Sequence, residues 1–110
     1  MTVDQYPPVG IDYGETGRRG IRLYQNNPNP FSYVTVITYE LEKAEQVILR
    51  VLDISGRLIS ILVDEKLGPG SYEAEWKGKD YNGNDVSSGL YFYELVTSSD
   101  RVKKKMILVR

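Results

Sequence analysis

Histidine and cysteine are both absent from this 110-residue chain. Without histidine there is no Ser-His-Asp triad, no common general base and almost no route to a catalytic zinc site. Without cysteine there is no disulfide framework, no thiolate metal site and no catalytic thiol. No apolar run exceeds four residues, as in Met106 to Val109, far short of the roughly 20 a spanning helix needs. Charge of one sign is not in excess either, with 14 Lys and Arg against 15 Asp and Glu for a net charge of −1. A nucleic-acid binder usually shows a basic surplus, so nucleic acid is not expected as a partner. The first 25 residues hold no apolar h-region. An exported form of this chain is therefore expected to be a piece of a longer precursor that carries the leader. G-x-S-x-G, P-loop and G-x-G-x-x-G motifs are all missing. The acids fall mostly on outward faces or in turns, where nothing raises a carboxyl pKa for glycosidic chemistry. No enzyme activity, cofactor or metal is expected.

What is present is β-pattern. Hydrophobic residues make up 41% and charged residues 26%, as in an ordinary soluble domain. Residues 1–20 carry Pro7-Pro8 and four glycines without apolar periodicity, and read as a linker or flexible segment. An extended strand docked through Tyr6 or Tyr13 is the alternative. Residues 21–110 then give one strand after another. Ile21–Tyr24 is short, and Asn26-Asn27-Pro28-Asn29-Pro30 is a stiff connector. Thr35, Ile37, Tyr39 and Leu41 alternate with Val36, Thr38, Glu40 and Glu42, and Val47, Leu49 and Val51 repeat the period. Residues 41–46 read as a turn, Asp53–Gly56 as a hairpin turn, and Leu58–Val63 as a strand. Tyr72, Ala74 and Trp76 share one face of the next. Asn82-Gly83 marks a turn, Leu90–Val96 reads as a central strand, and Arg101–Val109 as the last. About seven strands with turn signals roughly every ten residues predict an all-β, immunoglobulin-like antiparallel sandwich.

Individual residues admit two readings. Trp76 sits on an inward face and is expected to anchor the core; an exposed sugar-stacking role is the alternative. Asp80, Asn82 and Asn84 have the 1-3-5 spacing of a calcium loop, but Gly83 and Tyr91 stand where that loop needs other residues, so a turn is the better account. Tyr39, Tyr72, Tyr91 and Tyr93 suit core packing, whereas Tyr13, Tyr33 and Tyr81 are freer to contact a partner. In Lys103-Lys104-Lys105 the middle side chain points away from its neighbours. Edge protection of a terminal strand explains such lysines, and a recognition role is the alternative.

Several motifs occur together in order: Leu23-x-Gln25-Asn26-x-Pro28-Asn29-Pro30-Phe31, Thr35-x-Ile37-x-Tyr39-x-Leu41, and Val47-x-Leu49-x-Val51-x-Asp53-x-x-Gly56-Arg57. Gly70-x-Tyr72-x-x-x-Trp76, Ser88-Gly89-Leu90-Tyr91-Phe92-Tyr93 and Lys104-Lys105-Met106-Ile107-Leu108-Val109-Arg110 follow. The series resembles the type A C-terminal sorting domains of the type IX, or Por, secretion system. It also shares features with the Ig-like domain of the flagellar hook-capping protein. Ser32–Val36 and Leu52 depart from the sorting pattern. The resemblance implies a domain covalently linked to upstream cargo, read by outer-membrane secretion machinery, and often cleaved so that cargo is anchored at the surface or released. It further implies Lys104, Lys105, Met106, Ile107, Leu108, Val109 and Arg110 as the recognised element. Pro28, Asn29, Pro30, Phe31, Asp53, Gly56, Arg57, Trp76, Gly89 and Tyr91 would hold the fold, and residues 1–20 would be the cleavage region.

Two other functions compete with sorting: an assembly module that packs on another subunit, and a polysaccharide-binding accessory domain. The last would need a coplanar row of exposed aromatics. An uncovered terminal edge strand would also permit dimers by strand pairing.

Overall fold

A computed structural model describes residues 20–98 and 100–110, with the backbone alone of Glu15–Thr16. The described residues form eight strands: β1 (Glu15–Thr16), β2 (Ile21–Leu23), β3 (Thr35–Leu41), β4 (Glu45–Asp53), β5 (Leu58–Leu67), β6 (Gly70–Trp76), β7 (Gly89–Val96) and β8 (Arg101–Leu108). They form two four-stranded antiparallel sheets, ordered β1-β2-β3-β6 and β5-β4-β7-β8. The architecture is the expected all-β sandwich, with no helix among the described residues. Of the segment read as a linker, Glu15–Thr16 pair with β2 at the sheet edge. Tyr6 and Tyr13 lie outside the described residues.

Alternation in sequence becomes alternation in burial. Ile37, Tyr39 and Leu41 of β3 face Val47, Leu49 and Val51 of β4 and Tyr91, Tyr93 and Leu95 of β7 across a closed core. Trp76 is only 2% exposed. Its indole N–H donates to the Lys79 carbonyl at 2.9 Å, and its ring packs edge-on against Phe31 and Tyr91 with centroids 5.6 and 5.2 Å apart. A residue so placed anchors the core, and Trp76→Ala should cost about 3–5 kcal/mol. The sugar-stacking reading of Trp76 therefore fails.

Two expectations need correction. The turn read at residues 41–46 is shorter, because Leu41 ends β3 and Glu45 opens β4. The strand read at Leu58–Val63 runs on to Leu67. Asp64, Glu65 and Lys66 continue the ladder against Ile48, Val47 and Gln46. They give no apolar signal because β5 is an edge strand, where charge is tolerated and protective. Two register shifts against β4, between Leu49 and Arg50 and between Val51 and Leu52, further disturb the period-2 pattern.

Candidate recognition site

The terminal strand β8 lies at the edge of its sheet, with β7 on one side. Its even residues point into the sandwich: Met106 is fully buried and Leu108 1% exposed. Arg101, Lys103, Lys105 and Ile107 point to solvent. Lys104 faces opposite to Lys103 and Lys105, as the sequence predicts, and is half-buried. The element expected to be recognised thus divides in two. Met106 and Leu108 are core, and what a partner can touch in the folded domain is Lys105, Ile107, Val109 and the rim of Arg110.

The expectation of an uncovered terminal edge is corrected over the second half of β8. The connector before β3 lies along that edge and satisfies its backbone. Gln25 Nε2 donates to the Lys105 carbonyl at 2.8 Å. The Ile107 amide donates to Asn29 Oδ1 at 2.9 Å. Phe31 N–H donates to the Ile107 carbonyl at 3.0 Å, and Val109 N–H to the Phe31 carbonyl at 2.8 Å. Phe31 and Leu108 form a parallel bridge. An edge with these groups occupied offers no ladder to another chain, so strand pairing through Lys105–Val109 is blocked. Among the described residues, the bonds from the connector stop short of Arg101–Lys103.

The connector holds this position because it is tied from behind. Asn26, 2% exposed, donates through Nδ2 to the Pro28 carbonyl at 3.1 Å and to Thr35 Oγ1 at 2.9 Å. Thr35 Oγ1 donates in turn to the Pro28 carbonyl at 2.8 Å. The Asn26 amide donates to the Tyr93 hydroxyl at 2.8 Å, and that hydroxyl donates to the Tyr24 carbonyl at 2.8 Å. Both Asn27–Pro28 and Asn29–Pro30 bonds are cis.

Arg110 is anchored by several groups. Its amide donates to Ser88 Oγ at 2.8 Å, its Nε to the Val86 carbonyl at 2.9 Å and its Nη2 to the Gly78 carbonyl at 2.6 Å. Asp85 lies 3.6 Å from the same Nη2. Gly78 has φ 68°, and a methyl group there would collide with the Arg110 guanidinium. The position therefore needs glycine for backbone and for space.

The other family-motif residues gather near this end. Asp53 Oδ1 accepts from the Ser55 amide and hydroxyl at 2.9 and 2.6 Å and from the Arg57 amide at 3.0 Å. Its Oδ2 meets Arg57 Nε at 3.1 Å. These bonds, the Ser55 hydroxyl foremost, hold the Asp53 carboxyl below the usual carboxylate range. Gly56, with φ 87°, completes the turn. The turn and the segment Val86–Tyr91 line one open recess of about 490 Å³. Tyr91 donates to the Ser87 carbonyl at 2.7 Å, and Gly89 opens β7 opposite Leu108.

Asp80 Oδ1 accepts the Asn82 and Asn84 amides at 2.9 and 3.0 Å, which spends that oxygen on a turn rather than an ion. The most exposed aromatics, Tyr33 at 81% and Tyr81 at 70%, sit on different loops. Among the described residues they form no coplanar row of the kind a polysaccharide-binding face would need.

Sequence reasoning missed three features. Gln25 has no pattern that marks it as an edge partner. Tyr93 reads as core packing and not as a hydrogen-bond hub. Glu94, 4% exposed, is a buried carboxylate on the outer side of β7. It accepts from Arg50 Nε and Nη2 at 2.9 and 2.7 Å and lies 3.6 Å from Arg101 Nη1. Its alternation with Phe92 and Val96 was the available signal.

The family model described as the FlgD Ig-like domain matches residues 31–101. Among solved structures, dimeric latent PorU from Porphyromonas gingivalis is similar at TM-score 0.67 and 20% identity, over 90% of this chain and 10% of that one. PorZ from the same organism, described as an essential bacterial surface component of the type-IX secretion system, is similar at TM-score 0.50 and 19% identity, over 78% of this chain and 11% of that one. The chain thus spans about a tenth of either protein, and likeness at this identity speaks to fold. No curated protein matches.

Proposed function

Because the chain belongs to the FlgD Ig-like domain family, we propose that it is a non-catalytic Ig-like targeting domain. In this reading it is the sorting signal of a larger cargo, exported and carried across the outer membrane by type IX machinery to the surface or the medium. The observation that carries the reading is the fold shared across 78% of the chain with part of PorZ, a surface component of that system. The ordered motifs of the sequence support it. So does the bonding of β8 to the connector, because a folded signal must present its side chains in one fixed arrangement.

Deleting Lys104–Arg110 would be a poor test. It removes Met106 and Leu108 from the core, and export would fail for lack of folding. The better test fuses all 110 residues behind a periplasm-directed reporter in a bacterium with a matched type IX system. Reporter at the surface or in the medium supports sorting. Reporter retained in the periplasm, with the domain folded, sinks it. An assembly module, the second reading, draws on the family match itself. It becomes the better account if export fails and the folded domain instead co-purifies with a subunit in fixed stoichiometry.

A further inference from the structure

The sandwich carries opposite charge on its two outer faces. On the β3–β6 face, Glu40, Glu73 and Glu75 point outward, with Arg22 of β2 beside them. On the other face the cross-strand rows run Leu52–Phe92–Lys105, Arg50–Glu94–Lys103 and Ile48–Val96–Arg101. Leu90 and Ile107 pair at the end of the same face, 38% and 43% exposed. Glu94 is consumed by Arg50 and Arg101. Lys103 sits over the Phe92 ring at 5.2 Å from its centroid. Among the described residues Lys103 and Lys105 have no carboxylate to themselves, Glu94 opposite Lys103 being shared with Arg50 and Arg101, and they flank an apolar strip of Leu90, Phe92 and Ile107. In β5, Asp64 and Lys66 offset one another on this face.

We propose that the outer face of β7 and β8 is the docking surface of the domain, and that its partner is a protein with an acidic rim around an apolar centre. The proposal rests on the sorting reading and names the surface through which it acts. The closed edge at Lys105–Val109 removes strand addition there as a means of recognition. The outward side chains of β8 are what remains. An apolar centre with a charged rim is the anatomy of a protein interface, and the excess positive charge selects an acidic partner and speeds encounter. Two strands at about 4.8 Å spacing and eight residues at about 3.3 Å give a face of about 250 Å². That is less than the roughly 800 Å² per partner of a stable complex. It suits a contact that is made and released, and argues against a stable stack on the acidic face of a second copy.

The test compares three full-chain reporter fusions in a matched type IX host. One is unchanged. One carries Lys103→Gln, Lys105→Glu and Ile107→Thr, chosen to keep strand-forming shape and avoid a second carboxylate beside Glu94. One carries Glu73→Lys and Glu75→Lys on the opposite face. Thermal melts of the purified domains check folding. Export at least tenfold lower for the β8 variant alone, with melting within a few degrees of the parent, is the expected result. Equal export of the β8 and parent fusions overturns the proposal and leaves the sorting reading standing. Failure of the parent fusion removes the sorting reading, and this proposal with it. If the β8 variant unfolds, Lys105→Glu alone decides in the same way. Binding of the parent domain, but not the β8 variant, to phosphatidylglycerol vesicles would assign the face to lipid phosphate and also overturn it. A dimer in sedimentation that the Glu73→Lys, Glu75→Lys variant abolishes would assign it to self-association, with the same consequence.

Discussion

Asn29 and Ile107, separated by 78 positions, meet through a single hydrogen bond: the Ile107 amide donates to Asn29 Oδ1 at 2.9 Å. A side-chain carbonyl here takes the place of a strand's backbone acceptor. It fits between the Gln25 bond to Lys105 and the Phe31 bonds to Ile107 and Val109. Together they convert half of an edge strand into an interior one. On its other side, the ladder to β7 sets the exposed Ile107 opposite Leu90.

Asn29→Ala should cost about 0.5–1.5 kcal/mol, the usual net value of one hydrogen bond. Its clearer signature is local. Amide exchange at Ile107 should rise well above the loss of global stability, while Met106 and Leu108, bonded inward to β7, stay protected. Equal acceleration along all of β8 would mean that the connector does not hold the edge.

The sandwich was legible because a sheet with one buried face alternates its residues, as Thr35 to Leu41 and Val47 to Val51 do. The clasp was not. Its residues bond through side chains and an irregular backbone, so no period marks them, and the prolines announce only that the chain is stiff. The ending of β5 was hidden for a related reason. Asp64, Glu65 and Lys66 pair at an edge where polar residues lie comfortably in a strand. In the terminal motif, sequence identified the strand and its alternation. It could not tell that Met106 and Leu108 are core while Ile107 is surface, because all three are apolar.

Gly78→Ala should release Arg110. The added methyl group meets the guanidinium, and the backbone at φ 68° resists any side chain. A loss of more than about 1 kcal/mol is expected. In an Arg110→Ala background the clash part vanishes and only the backbone penalty remains. A double-mutant cycle reads this directly, and strict additivity would show that the two positions are uncoupled.

The carboxyls of Asp53 and Asp85 both lie below their ordinary range. The first is held there chiefly by the Ser55 hydroxyl and the Arg57 amide. The second is held by the Lys79 hydrogen bond and the charges of Lys79 and Arg110. A carboxyl depressed in the folded state adds stability above its unfolded pKa, and that stability is lost as pH falls through the folded value. The two turns should therefore be insensitive to pH near neutrality and weaken below about pH 4. Asp53→Asn with Asp85→Asn should flatten the acid limb of urea midpoint against pH. An unchanged limb would assign acid sensitivity elsewhere.

At the alkaline end the sign reverses. Burial first, then the charges of Glu65 and Tyr72, push the Tyr39 phenol up from 10.0 to about 12. The unfolded chain ionises first, so the stability held below pH about 10 drains away as pH rises toward the folded value. Tyr39→Phe should move the alkaline unfolding midpoint upward. Ultraviolet titration of the parent should show a late-ionising contribution from Tyr39 that the variant lacks.

Tyr93 joins the core to the connector. Its ring is fully buried, and its hydroxyl accepts from Asn26 and donates to Tyr24. Tyr93→Phe keeps the ring and removes both bonds. The buried Asn26 amide and the half-buried Tyr24 carbonyl then lose this partner at the root of the connector, at about 1–3 kcal/mol for the amide and less for the carbonyl. Phe31 and Asn29 are carried by that connector, so the cover on β8 should loosen with it. The expected result is a lower urea midpoint at unchanged slope, together with faster exchange of the Val109 amide. A variant that loses stability but keeps Val109 protected would show that Tyr93 braces the core without controlling the edge.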